Sequence, residues 1–214
     1  MPRIEMMNWK PALRMTALGL VAFAAMGMAN LAQTMKTLTG KSGTFSIEVA
    51  KDWINIDTND PIFKESFEMM KQENPKLAQI MNQSQKGEYE IYAMDSADDP
   101  SDGYVSTLNL IIRESGGLTP AMLPAVKDQV LQSIPFKSGT AKAEISKTQF
   151  GETLTFFGIM EVQTMFGKID IMAHGYLFVK EDQLYVLTFG SKSDEYKKNK
   201  PIFEKIFKSA KIKA

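Results

Sequence analysis

The sequence predicts an α+β fold in which helices flank a mainly antiparallel β-sheet. Three observations carry this expectation. The stretch 175–212 reads as two apolar strands around a polar turn, followed by an amphipathic helix. Before it, the runs 141–150, 152–166 and 168–180 are separated only by short turns at Gly151 and Gly167, which suits hairpins. Nearer the front, Phe45, Ile47 and Val49 alternate with Thr44, Ser46 and Glu48, the period of a half-buried strand.

The elements follow in order. Lys51 and Asp52 make a turn after the first strand, and Trp53, Ile54 and Ile56 start a short extended piece. Pro61 opens a helical pattern with Asp60 as its N-cap and Ile62, Phe63, Phe67 and Met70 at helical spacing. Asn74 and Pro75 interrupt it, and Leu77, Ile80 and Met81 continue a second helix. A strand over 88–94 sets Tyr89, Ile91 and Ala93 against Glu90, Tyr92 and Met94, and 104–113 is another. Thr119 and Pro120 begin a helix running to about Ser133, its inner side formed by Met122, Leu123, Val126, Val130 and Leu131. After the meander, Ser193 or Asp194 caps the terminal helix, whose buried stripe is Ile202, Phe203, Ile206, Phe207 and Ala210. Pro201 sits in its first turn or kinks a longer helix.

The chain has 214 residues, enough for one domain and a targeting segment. Arg3, Lys10 and Arg14 precede an uncharged apolar run over 15–29, and Gly27 and Ala29 then stand in a −3/−1 relation, with Ala32 a second cleavage point. This is the three-part layout of a secretory signal. The run is shorter than the roughly 20 residues a spanning helix needs. The division is therefore 1–32 signal peptide or membrane anchor, 33–43 polar linker and 44–214 folded domain. An uncleaved segment would hold the protein at a membrane. The expected location is periplasmic, extracellular or envelope-associated.

Composition narrows the chemistry. There are 25 basic and 25 acidic side chains, and removing 1–32 leaves a charge of about −2. Nothing points to nucleic acid. Cysteine is absent, which excludes disulfides, thiolate metal sites, cysteine nucleophiles and cysteine lipidation.

His174 is the single histidine. It cannot form a histidine-rich metal site, and no Gly-x-Ser-x-Gly nucleophile accompanies it. The reading is a solvated or hydrogen-bonded strand histidine. The loop at 95–103 carries Asp95, Asp98, Asp99 and Asp102, oxygen ligands of the kind calcium takes. Its spacing is not that of an EF-hand, Pro100 intrudes and no bidentate glutamate closes it, so a solvated turn is expected. The terminal helix carries Lys197, Lys198, Lys200, Lys205 and Lys208, with Lys211 and Lys213 beyond, read as its wet face. Trp53 reads as a core plug, Met69, Met70 and Met81 as core filler, and Gly116-Gly117 as a strand breaker without the lysine of a phosphate loop. No catalytic, cofactor-binding or metal-ligating residue is named, and no cofactor is expected.

The segment 45–53 (FSIEVAKDW), the strand 185–193 (YVLTFGSKS), Tyr196 and the helix 202–209 (IFEKIFKS) together resemble the PsbP-like family. That family spans PsbP, bacterial envelope proteins of the DcrB type and a Ran-binding transport factor. The resemblance covers roughly 44–212 and implies an α/β/α sandwich that binds partners and is not an enzyme. Ala50 stands where a proline is common before the tryptophan, and the lipoprotein cysteine of many bacterial members is missing. No family residue is carried over. The expectation is an exported accessory protein that binds another envelope or extracellular protein. The alternatives are a small-molecule or cation-binding protein and an unrecognised hydrolase.

Overall fold

The computed structural model describes residues 35–57, 60–61, 65, 68, 89–99, 103–164 and 167–213. The signal-like run, the methionines at 69, 70 and 81, and Asp102 lie outside them. So does most of the helical pattern after Asp60, although Pro61, Glu65 and Glu68 are helical and exposed.

Ten strands and two helices are described. The strands are β1 (Met35–Thr39), β2 (Phe45–Ala50), β3 (Trp53–Asn55), β4 (Ile91–Asp95) and β5 (Thr107–Glu114), then β6 (Lys142–Thr148), β7 (Gly151–Thr164), β8 (Gly167–Lys180), β9 (Gln183–Lys192) and β10 (Lys211–Ile212). The helices are α1 (Leu123–Ser133), entered through a 3-10 turn at Pro120–Met122, and α2 (Tyr196–Ser209). A seven-stranded sheet runs β3-β4-β5-β9-β8-β7-β6, and a three-stranded sheet runs β1-β2-β10. Every pairing is antiparallel.

Alternation along the long strands sends side chains to opposite faces of the large sheet. On one face Leu154, Phe156, Ile171, Leu177 and Val186 pack with Leu123 and Val130 of α1. On the other, Leu110, Phe178, Leu187 and Phe189 pack with Ile47 and Val49 of β2 and with Phe203 and Ile206 of α2. A third cluster joins Tyr89, Tyr92 and Met94 to Val105 and Ile111. The result is an α+β sandwich. Each such aliphatic or aromatic side chain contributes roughly 1.5–3 kcal/mol by leaving water. The hairpin between β8 and β9 turns on two residues, Glu181 and Asp182, with φ of 51° and 58°. Positive φ at both central positions is the turn that matches strand twist, here made without glycine.

Several expectations change. The stretch 33–43 is not only a linker: Met35–Thr39 is a strand paired with β2, and Leu38 enters the core. One apolar residue among polar ones gave no period to read. The strand expected over 88–94 is observed as β4, Ile91–Asp95, and is covered on both sides, since Tyr92 and Met94 are buried along with Ile91 and Ala93. The stripe of α2 turns slightly: Ile202 is 39% exposed, and Asn199 is buried in its place on that side. Neither Ser193 nor Asp194 caps α2. Glu195 is the N-cap, it makes no side-chain cap bond, and Pro201 lies inside the helix. Trp53 is the expected core plug, 1% exposed.

A cleft beneath the terminal helix as candidate functional site

The polar feature nearest to a site arises where β8 passes under α2. Ala173, Gly175 and Leu177 face α1, while His174, Tyr176 and Phe178 face α2. Gly175 is required at this crossing. A Cβ there would stand 2.1 Å from Cζ of Phe156, the residue paired with it on β7. The large ring fills the space that glycine leaves, so the first face closes.

The second face stays partly open. Between β6–β7–β8 and α2 lies a cleft of about 330 Å³. Its sheet wall includes Glu144, Ser146 and Thr155, its floor includes Phe157, His174 and Tyr176, and its helix wall presents Lys200, Glu204, Phe207 and Lys208. The three charged positions are four residues apart, which places them in one row along the helix. Lys200 and Glu204 form an ion pair. Gln149, also on the rim, donates from Nε2 to the Phe207 carbonyl at 2.8 Å and ties the end of β6 to the helix.

His174 is 2% exposed. Its Nδ1 lies 3.2 Å from the Tyr196 hydroxyl, a hydrogen bond whose direction follows the imidazole tautomer. Tyr196 and Phe157 meet the ring edge-on, and Tyr176 packs tilted against it with centroids 4.8 Å apart. Burial pushes the His174 pKa down to about 4, helped by the Lys200 charge and opposed by Glu204. The ring is therefore neutral at neutral pH. Burial also raises both phenols, Tyr196 to about 12 and Tyr176 further, with Glu204 adding to each. The hydrogen bond from Lys200 holds Glu204 below the usual carboxylate range.

The groups of the cleft differ from those of a base-assisted nucleophile. A general base needs an orienting acid and a proton to take from a nucleophile. His174 is bonded to a phenol, and no carboxylate is recorded as its hydrogen-bond partner among the described residues. Neutral aromatic, hydroxyl and paired charged groups around a concavity are what small-ligand sites are made of.

The other residues singled out in the sequence are not brought here. Asp95 and Asp98 sit at the far end of the sheet, on β4 and the loop after it. Asp95 accepts from the Ala97 amide at 3.0 Å and Asp98 from the Ser106 amide at 2.7 Å. Burial pushes Asp95 up to about 6. Among the described residues no group of three or more histidine and acidic side chains is placed to hold a metal. Gly116 and Gly117, with φ of 57° and 85°, shape the turn that leaves β5. Lys197, Lys198, Lys205, Lys211 and Lys213 are exposed. Lys200 and Lys208 are exposed as well, and they also line the cleft. Tyr176 and Glu204 were not singled out, and Tyr196 was noted only for the family resemblance. Two signals pointed to them: the alternation His174-x-Tyr176, and the four-residue spacing of Lys200, Glu204 and Lys208.

No protein-family model matches the chain, and no curated protein matches it. Solved structures do. A cyanobacterial PsbP from Synechocystis sp. PCC 6803 aligns at 11% identity, over 89% of this chain and 99% of its own, with a TM-score of 0.44. LpqN of Mycobacterium tuberculosis, described as involved in cell envelope biogenesis, aligns at 14% identity over 86% and 93%, TM-score 0.44. A mutant of Mog1 aligns at 12% identity over 84% and 96%, TM-score 0.48. These are likenesses at low identity to proteins of the kind the sequence resembles, and nothing about family or activity follows from them.

Proposed function

We propose that this is an exported, non-enzymatic accessory protein of the cell envelope or extracellular space, and that it binds its partner through the cleft beneath α2. The observation that supports the reading is the composition of that cleft: a neutral histidine bonded to tyrosine, aromatic floor groups and charged walls of both signs. Export rests on the basic residues and apolar run of the first thirty or so positions.

The test is photocrosslinking in the native host with the full chain. A photoreactive residue is placed at Ser146 or Lys147 on the cleft rim, or at Ala125, exposed on α1 across the sheet. Adducts are expected from the first two positions and not from the third. Equal adducts from all three, or none from the cleft rim, would remove the reading. Intact mass of the exported protein locates cleavage after Ala29 or Ala32, and an uncleaved chain held in the membrane fraction would replace soluble export with anchoring.

A further inference from the structure

The seven-stranded sheet ends at β6 on one side and at the three-residue β3 on the other. β6 runs from Lys142 to Thr148 against β7 with no break in register, and it holds no proline or glycine. Its outer side meets no strand among the described residues. Such an edge is a template for another strand. Toward α1 it shows Ala143 and Ile145, both half-buried, with Ala141 just ahead of them. Toward α2 it shows Lys142 and Glu144, both exposed. Neither of these two makes a salt bridge among the described residues. Beside this half of the strand a concavity of about 430 Å³ opens between residues 141–144 and Lys127, Asp128 and Leu131 of α1.

We infer that β6 is where two copies of this chain associate, pairing antiparallel, edge to edge, about a two-fold axis at Ala143. Backbone groups point outward at every second residue of an edge strand, and opposite residues of an antiparallel pair both point toward the partner. Self-pairing therefore centres on a residue, and the same face of both sheets lies on the same side. A centre at Ala143 sets Lys142 against Glu144 of the second copy, twice by symmetry, and sets Ala141 against Ile145 beside the concavity at α1. Other centres lack this match. A centre at Glu144 opposes two glutamates, and one at Lys142 opposes two lysines. A centre at Ile145 or Ser146 leaves Glu144 opposite Ser146 or Thr148. The lysine that shields a lone edge strand thus becomes the group that selects its register. Only residues 141–145 of each copy pair, so the dimer is weak and concentration decides its population.

The experiment is sedimentation of the protein as exported, from about 1 μM to about 500 μM, a span that covers weak association. The weight-average mass is expected to rise toward twice that of the monomer. Lys142→Glu or Glu144→Lys alone sets like charges opposite one another at both crossings and is expected to weaken the dimer about tenfold, while the double exchange restores it. Both positions are exposed, so neither variant threatens the fold. The chain has no cysteine, so an introduced one reports alone. Ala143→Cys is expected to form an intermolecular disulfide on mild oxidation, because directly opposed Cα atoms lie about 4.5–5.5 Å apart. Ile145→Cys is expected not to, since residue 145 faces 141 and the two thiols would lie roughly 13 Å apart along the strands. A monomer at every concentration overturns the proposal. So does a dimer that the charge exchanges leave unchanged, or one in which Ile145→Cys crosslinks as readily as Ala143→Cys. None of these readouts depends on the cleft beneath α2, whose partner is sought by crosslinking in the host.

Discussion

Strand β8 shows two faces of one sheet built to different ends within three consecutive residues. At Gly175 the face toward α1 is closed to the point that a single methyl group has no room beside Phe156. At His174 and Tyr176 the opposite face carries polar groups that are buried yet line a cleft. The difference teaches where change is tolerated. A face packed by shape is sensitive to volume. A face holding ionisable groups out of water is sensitive to pH.

The largest expected effect breaks the packed face. Gly175→Ala should cost about 1–3 kcal/mol, because the buried Phe156 ring has to shift to admit the methyl group. Denaturant unfolding measures it, and a loss below about 1 kcal/mol would mean the two faces are not so different. The paired variant Gly175→Ala with Phe156→Leu should recover part of the loss.

The next effect belongs to the open face. His174 has a folded pKa of about 4, below its unfolded value. The unfolded chain therefore binds the extra proton between those two pH values, and stability falls as pH drops from about 6.5 to about 4. The contribution is about 3 kcal/mol, fully present above the unfolded pKa. His174→Gln should flatten that part of the profile.

Asp95 works in the opposite sense. Its folded pKa of about 6 lies above the unfolded value, so its contribution is present in acid and lost as pH rises through 6. It thus masks part of the His174 loss. Asp95→Asn should raise stability at neutral pH by about 1–2 kcal/mol after screening is allowed for, and should steepen the acid limb that His174 causes. A profile of unfolding free energy against pH for the wild type, each single variant and the double variant separates the two groups.

The smallest effect sharpens the electrostatics of the cleft. Lys200→Ala removes an exposed ion pair and should cost no more than about 0.5 kcal/mol. Its informative readout is the imidazole titration by NMR. Without the Lys200 charge the His174 pKa should rise, and with Glu204→Gln it should fall. No movement in either variant would separate the histidine from the helix row.

The sequence carried the sheet well because the strands with one apolar face keep period two, as β2 does over Phe45, Ile47 and Val49. The hairpin breaks at Gly151 and Gly167 were legible for the same reason: both need positive φ. β1 was not legible, since a strand that contributes only Leu38 to the core has no repeating signal. The cleft was half legible. His174 was noticed, with solvation and hydrogen bonding left open; it is buried and bonded to Tyr196, 22 residues away along the chain. Which lysines of α2 line the cleft, and which face only water, is decided by the rotation of the helix on the sheet. A helix with an interior proline and no side-chain cap gives little indication of that rotation.

Strand β2 has a wider consequence. Its neighbours are β1, at residues 35–39, and β10, at residues 211–212. The small sheet therefore cannot be completed until nearly the whole described chain has been synthesised, because one edge partner of β2 is the final strand. Such non-local closure delays folding. Until β1 and β10 are both in place, β2 keeps an open edge of unpaired backbone groups, so the pairing that joins the first and last described strands also protects that edge.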